Sequence, residues 1–422
     1  MTDTNTYVQE LGASARRASR QLAELTDNVK SAALRRLAAA IREQKAALIE
    51  ANAIDIKAAT EAGLAANLVE RLKLNDKRVT GMADAVEQIA AQVDPVGQII
   101  EGYVRPNGLR VQKVRVPIGV VLFIYESRPN VTSDAAALCL KSGNAIILRG
   151  GKEAIHSNQA IAQIIVESLA DSKIDPAAVQ LVRSTDRALL TQLVKLDQYI
   201  DLVIPRGGEG LIRTVTREST IPVLKHFTGN CHIYIDQQFA GMEEQIRKVC
   251  VNAKTSYPGG AVCNAVEHIL FHKDAAPALL PLVCKDLADK GVEIRGDAAA
   301  RKLYPAAIPT TDADWGTEYL ALVVGIKVVD SLEQAVEHIN HYGSHHTDAI
   351  LTTSMKSADK FVKGVDSGSV MVNASTRFAD GGEYGLGAEV GISTDKMHAR
   401  GPMGATDLTT YKWIVTGEGH CR

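Results

Sequence analysis

Between residues 118 and 217 the chain repeats one pattern: a short, unbroken apolar run, then a stretch with helical spacing. A strand that is apolar on both faces needs cover on both, and helices wound about a parallel sheet supply it. Residues 118–125 read as such a strand, followed by a helix over 133–140 with Thr132 or Ser133 as its cap. Residues 145–149, 179–182 and 202–205 are predicted as further strands. The helices between and after them are predicted over 157–169, capped by Ser157, over 187–196, and over 207–217, which starts at Gly207 and Gly208. A second series follows a boundary near 230. Its strands fall at 233–235, 268–271, 323–329, 348–351 and 369–372. Its helices fall at 242–253, 275–290, 331–341 and 358–365, with Ser331 capping the third and Gly343 closing it.

The flanks differ. Residues 7–92 are alanine-rich and helical, with Leu34, Leu37, Ile41 and Leu48 on one face and Arg35, Arg36, Arg42 and Glu43 mostly off it. Residues 97–115 alternate apolar and charged, as an exposed β ribbon does, and suit a subunit contact. Residues 378–404 are glycine-rich, and 408–415 read as a final strand. The expected fold is therefore α/β, with two parallel-sheet α/β domains and a small β element for oligomerisation. One domain combines 1–96 and 116–230 and the other spans 231–378. Residues 97–115 and 404–422 form the β element, and 379–403 form a glycine-rich return segment. Two α/β units meeting at a crevice suit a cofactor in one and a nucleophile in the other.

The totals exclude several classes. Lysine and arginine number 47 against 49 acidic residues, so no basic excess offers a footprint for nucleic acid or an acidic membrane. No apolar run approaches the roughly 20 residues of a membrane span, and a cytoplasmic location is expected. The six cysteines are scattered without a CxxC pair, which argues against a disulfide framework or a zinc knuckle. His338, His341, His345 and His346 cluster near a helix C-terminus, where histidines suit the dipole, so no metal is expected there.

One cysteine stands apart. Cys263 follows a loop, 254–262, that carries Pro258, Gly259 and Gly260, and precedes the apolar strand at 268. A thiol on such a loop is either a buried apolar filler or a nucleophile among peptide N–H groups that favour the thiolate. Its own N–H and the Asn264 amide are candidate oxyanion donors.

Long strings around these positions carry a resemblance: VPIGVVLFIYESRPNV at 116–131, KSGNAIILRGGKE at 141–153, IPRGG at 204–208, CNA at 263–265, VNASTRFADGGEYGLGAE at 372–389 and HARGPMG at 398–404. From about residue 10 to 415 the chain resembles the γ-glutamyl phosphate reductases of the aldehyde dehydrogenase superfamily. The resemblance implies that Cys263 attacks L-glutamyl 5-phosphate, releases phosphate, and holds a thioester that NADPH reduces to glutamate 5-semialdehyde. That is the second step of proline synthesis from glutamate. Arg149 and Lys152 fall where the superfamily binds the adenosine ribose, and cations there suit the 2′-phosphate of NADPH. As solvated surface charges they would need no ligand. Gly207 and Gly208 suit a pyrophosphate, or an ordinary turn. Glu318 resembles the glutamate that holds the nicotinamide ribose. Asn373, Ser375, Arg377 and Asp380 follow a buried strand, and Arg377 suits a substrate carboxylate. Arg128 and Asn130 follow the strand at 118–125 and suit the phosphate or the oxyanion, or order their loop.

The chain departs from the superfamily at two points. Hydrolytic aldehyde dehydrogenases carry a Glu-Leu-Gly-Gly string whose glutamate activates water; here the stretch reads His226-Phe227-Thr228-Gly229-Asn230. Without that base a thioester should persist until hydride or phosphate arrives. The Pro258–Cys263 spacing is about two residues longer than usual, slack that Gly259 and Gly260 can absorb. Other acyl-phosphate or aldehyde oxidoreductases, and a non-catalytic binding protein of the same fold, remain rivals. The superfamily implies a homo-oligomer, and the labile substrate suits transient contact with glutamate 5-kinase.

Overall fold

Five helices open the computed structural model, which describes residues 4–225 and 228–422. They are α1 (Thr4–Glu24), α2 (Asp27–Glu43), α3 (Lys45–Glu61), α4 (Ala66–Leu72) and α5 (Asp76–Ala91). The apolar stripe expected on α2 is buried: Leu34, Leu37 and Ile41 pack into the first core. The ribbon β1 (Ile99–Val104) and β2 (Arg110–Pro117) follows.

The first sheet then assembles from β3 (Val120–Tyr125), α6 (Asn130–Lys141), β4 (Ala145–Arg149), α7 (Ile155–Asp171), β5 (Val179–Leu181), α8 (Arg187–Leu193), β6 (Leu202–Arg206) and α9 (Glu209–Glu218). Its order is β5-β4-β3-β6, all parallel. The chain moves outward from β3 to β5 and then crosses back to place β6 on the other side of β3. The switch point therefore lies at the carboxyl ends of β3 and β6, where open α/β sheets bind ligands.

The second sheet has seven parallel strands in the order β10-β9-β11-β8-β7-β12-β13. Its elements are β7 (Cys231–Ile235), α10 (Glu243–Thr255), β8 (Val266–His272), α11 (Ala276–Ala288), β9 (Glu293–Gly296), α12 (Ala298–Leu303), β10 (Ile308–Pro309), α13 (Asp312–Trp315), β11 (Val323–Val329), α14 (Leu332–Tyr342), β12 (Thr347–Leu351), α15 (Met355–Gly364) and β13 (Ser369–Val372). The central strands β7 and β8 are buried along their whole length, including the polar side chains of His232, Glu267, His268 and His272. The chain closes with a small pair, β14 (Gly391–Ser393) and β15 (Gly401–Met403), and with β16 (Thr409–Thr416), which adds antiparallel to β2. Val390, Ala399, Met403, Ala405 and Leu408 return to pack into the first core. Among the described residues no helix is long and apolar enough to cross a membrane.

The alternating α/β order and most strand positions match the expectation, and several details correct it. α6 starts at Asn130, behind Pro129, not at residue 133. Thr132 instead hydrogen-bonds the Tyr125 hydroxyl at 2.6 Å and the Asn158 amide oxygen at 3.0 Å. Ser157 lies inside α7 and is not its cap; the carboxylate of Asp55, from α3, accepts the amides of His156 and Ser157 and the Ser157 hydroxyl. An anion at a helix N-terminus satisfies otherwise unpaired donors, whichever segment supplies it. Residues 293–315 hold two short strands and two short helices absent from the sequence reading. Glu293 and Arg295 alternate with Ile294 and Gly296 there, so no apolar run marks the strand.

Candidate active site

Cys263 reaches the crevice on a loop whose shape depends on glycine. After α10, Pro258 opens a short turn, and both Gly259 and Gly260 take left-handed φ values, 69° and 66°. A Cβ on Gly260 would stand 2.9 Å from the Ala321 carbonyl oxygen. This pair of turns absorbs the length between Pro258 and Cys263. The Arg71 guanidinium, from α4, donates to the Ala261 carbonyl at 3.1 Å. Gly229 lies directly on the other side: a Cβ there would fall 1.9 Å from the Cys263 carbonyl oxygen. The same carbonyl accepts the Cys231 thiol at 3.2 Å. The thiol-bearing residue is thus clamped between three segments, and its side chain is half-buried.

The first sheet supplies the facing wall. Ser127, past β3, has φ 52°, a costly conformation held by its amide and hydroxyl, which both donate to Glu153 at 2.7 and 2.9 Å. That bend presents Arg128. Arg206, at the end of β6, is paired through hydrogen bonds with Tyr125 of β3, and its guanidinium lies 3.8 Å from the Glu389 carboxylate. Burial pushes the Cys263 thiol above its ordinary range. Arg206 pulls it back, Glu389 and Glu318 push it further, and Arg128 pulls it back again. Arg128 itself is drawn down by burial, and feels Tyr257, Arg206, Arg71 and Cys263. Arg206 and Arg128 thus favour the thiolate, while burial, Glu389 and Glu318 oppose it and hold the thiol above its ordinary range.

The other expected residues divide. Arg377 stays with the site: its Nε donates to the Ser256 hydroxyl at 3.2 Å and its guanidinium lies 5.7 Å from the Tyr257 ring centroid. Asn130 is held by Asp134, which accepts its amide at 2.8 Å; burial raises Asp134 to about 6. Glu318 accepts the Gly229 amide, is raised by burial, and lies within electrostatic reach of Cys263. Asn264 is corrected: its NH₂ donates to the carbonyls of Ala379 (3.0 Å) and Arg377 (3.4 Å), so it ties the cysteine loop to the 376–380 turn and has no donor left for an oxyanion. Asn373 is corrected as well, since both ends of its amide bond the Thr352 backbone at 2.9 Å. Ser375 caps the turn by accepting the Arg377 amide at 3.3 Å. Asp380 accepts the Gly382 amide at 2.9 Å.

On the cofactor side, Gly208 begins α9 with open space where a Cβ would stand, and Gly207 has room only for hydrogen, since a Cβ would meet Glu126 at 2.5 Å. The Gly208 amide donates to Glu126 at 3.0 Å. Arg149 ends β4, which β3 separates from β6, and donates to the Thr185 carbonyl at 3.3 Å; Lys152 stands exposed just beyond. The space beside Gly208 at a helix N-terminus, at the switch point of the sheet, suits an approaching phosphate if Glu126 releases the amide. His226 and Phe227 of the expected base-lacking stretch lie outside the described residues. The four clustered histidines diverge: His338 packs among His232, Trp315 and Tyr342, His341 meets Tyr342 edge-to-face, His345 bonds the Asp366 carbonyl, and His346 approaches Cys231. Among the described residues no group of three His, Cys, Asp or Glu is arranged to hold a metal ion.

Arg71, Arg206, Glu389 and Glu126 were missed by the sequence reading. Arg206 and Glu389 lay inside strings already singled out. Arg71 sits in an ordinary helical layer, and its partner is 190 residues away.

The aldehyde dehydrogenase family profile matches residues 2–297. The γ-glutamyl phosphate reductase of Caldanaerobacter subterraneus subsp. tengcongensis is 49% identical over 408 residues, covering 97% of this chain and 98% of its own. The crystal structure of the γ-glutamyl phosphate reductase of Thermotoga maritima superposes with a TM-score of 0.94 at 45% identity, covering 98% of this chain and 99% of that one. This chain belongs to the γ-glutamyl phosphate reductases, within the aldehyde dehydrogenase family. An engineered glycolyl-CoA reductase with bound NADP⁺ is more distant, at 14% identity and a TM-score of 0.69 over 97% of this chain and 96% of that one, and shares the fold. Aldehyde dehydrogenases use a nicotinamide cofactor. In this reductase the Arg128, Arg206 and Cys263 constellation stands where the switch point of the first sheet faces the amino end of β8.

Proposed function

We propose that this enzyme reduces L-glutamyl 5-phosphate to L-glutamate 5-semialdehyde and phosphate through a thioester on Cys263, with NADPH, as the second step of proline synthesis in the cytoplasm. The observation that carries the reading is the half-buried Cys263 thiol beside the guanidiniums of Arg206 and Arg128, in a chain 49% identical to a curated γ-glutamyl phosphate reductase. The Cys263 thiolate attacks the acyl carbon, and the bond to the phosphate oxygen breaks. Arg128 and Arg206 neutralise the phosphate as it leaves. The Cys263 amide and the Asn130 side chain, oriented by Asp134, receive the oxyanion. Arg377 holds the substrate carboxylate. Arg149, Lys152, Gly207, Gly208 and Glu318 hold the cofactor, which supplies the hydride when bound.

Two proposals concern assembly. The apolar ribbon of β1, β2 and β16 joins copies of the chain, and the labile acyl phosphate favours transient contact with glutamate 5-kinase.

The test is NADP⁺ reduction with glutamate semialdehyde, with and without inorganic phosphate. Phosphate-dependent reduction is expected, abolished in Cys263→Ala. Turnover that ignores phosphate, or that survives in C263A, would refute the reading.

A further inference from the structure

The thiol beneath the nucleophile has no part in this chemistry. Cys231 begins β7, is fully buried, and donates its S–H to the Cys263 carbonyl oxygen at 3.2 Å. Its sulfur also lies 3.8 Å from Nδ1 of the buried His346. Of the chain's six cysteines, Cys139, Cys250 and Cys284 sit in apolar cores, and Cys421 is exposed. A small apolar residue would fill the Cys231 position equally well if packing were its only task. A second thiol touching the nucleophile's own backbone, with an imidazole beside it, is instead the arrangement of a resolving cysteine.

We propose that Cys231 and Cys263 form a two-thiol site for hydroperoxides, in which oxidised Cys263 is captured as a reversible Cys231–Cys263 disulfide. The inference takes Cys263 as the accessible nucleophilic thiol, as in the function proposed above. In the first step the Cys263 thiolate attacks the distal peroxide oxygen. The O–O bond breaks, Cys263 becomes a sulfenic acid, and the alcohol or water leaves with a proton. In the second step the Cys231 sulfur attacks the sulfenic sulfur. An S–S bond forms, the S–O bond breaks, and the Cys231 proton passes through His346 to the departing hydroxide as water. A dithiol returns the two electrons and two protons. Cys231 opens β7 opposite Val266 of β8, and Cys263 lies in the loop three residues before Val266, with its carbonyl against the Cys231 sulfur. Joining the two sulfurs requires the cysteine loop to leave its clamped position against Gly229, with Gly259 and Gly260 as the residues free to absorb the change in backbone angle.

The experiment treats the purified full chain with hydrogen peroxide, alkylates free thiols, and maps peptides by mass spectrometry. The expected product is a 231–263 linked pair lighter by two hydrogens, with thiols and activity restored together by dithiothreitol. In Cys231→Ser the same dose should drive Cys263 to the sulfinic acid, with recovery reduced at least tenfold relative to the parent under the same reductant. A parent in which Cys263 reaches the sulfinic acid while Cys231 remains alkylated would overturn the proposal. So would a C231S protein that recovers as fully as the parent. The parent's peptide map needs neither a variant nor turnover, so its outcome is separate from that of the phosphate-dependence test.

Discussion

At the scale of single residues, the site depends on one missing side chain as much as on those present. Gly229 leaves space for the Cys263 carbonyl, and a methyl group there has only 1.9 Å. We expect Gly229→Ala to displace the nucleophile by a substantial fraction of an ångström and lower kcat/KM by about 100-fold. Binding of the nucleotide, measured by fluorescence, should change far less. Asp134 offers a second test. Its burial raises it from 3.8 to about 6, so between those values the folded chain binds more protons than the unfolded one. Its contribution to stability is therefore complete below about pH 4 and falls as pH rises towards 6, by roughly 3 kcal/mol in total. Asp134→Asn keeps an acceptor for the Asn130 amide and removes that slope. Urea unfolding should find the variant equal to the parent at pH 4 and more stable at pH 7. The loop that carries Cys263 was legible because proline and glycine chemistry announces a loop before a strand, but the choice of nucleophile over buried filler rested on the family resemblance. Asn264, Asn373 and Ser375 misled because a polar loop residue looks alike in sequence whether it meets a ligand or a carbonyl. The carbonyls that satisfy Asn264 lie 113 and 115 residues away, and nothing local marks them.

At the scale of elements, one buried carboxylate ties α3 of the helical layer to the start of α7. Asp55 receives two amides and a hydroxyl from the first turn of α7, at 2.6–3.1 Å. Asp55→Ala leaves those donors buried and unpaired, and we expect a loss of about 2–4 kcal/mol in denaturant unfolding. Asp55→Asn should recover part of it. The sequence suggested Ser157 as the cap because serine is a favoured residue there. The tertiary carboxylate prevailed because an anion completes a helix terminus better than a neutral hydroxyl does. Most strands were legible for the opposite reason. β4, β11 and β13 are apolar runs bounded by turns, and their limits follow from composition alone. β9 is short and charged at alternate positions, and β10 is only two residues long, so neither registers.

Across the whole molecule, the ribbon of β1, β2 and β16 has no cover of its own. Ile99, Tyr103, Val104, Trp413 and Val415 are exposed along it, and Lys113 lies over the Tyr411 ring at 4.0 Å. Exposed apolar strands of this kind invite a partner. If a second copy covers them, Val104→Asp combined with Trp413→Glu should leave a 45.3 kDa species in sedimentation, where the parent sediments as a larger one. The alternation that marks this ribbon is plain in the sequence, whereas its grouping with the C-terminal strand, nearly three hundred residues away, rested on the family resemblance and on no local signal.

The return of residues 390–408 into the first core sets the timetable of biosynthesis. A nascent chain has emitted all four strands of the first sheet once Arg206 has left the ribosome, yet the core they build still lacks Val390, Ala399, Met403, Ala405 and Leu408. The Asn144 amide likewise waits for the Leu408 carbonyl, its partner at 2.8 Å. Translation must almost finish before the earliest-made half can seal. Over that interval its greasy inner surface is open to chaperones, and a stop codon anywhere before residue 390 strands it there.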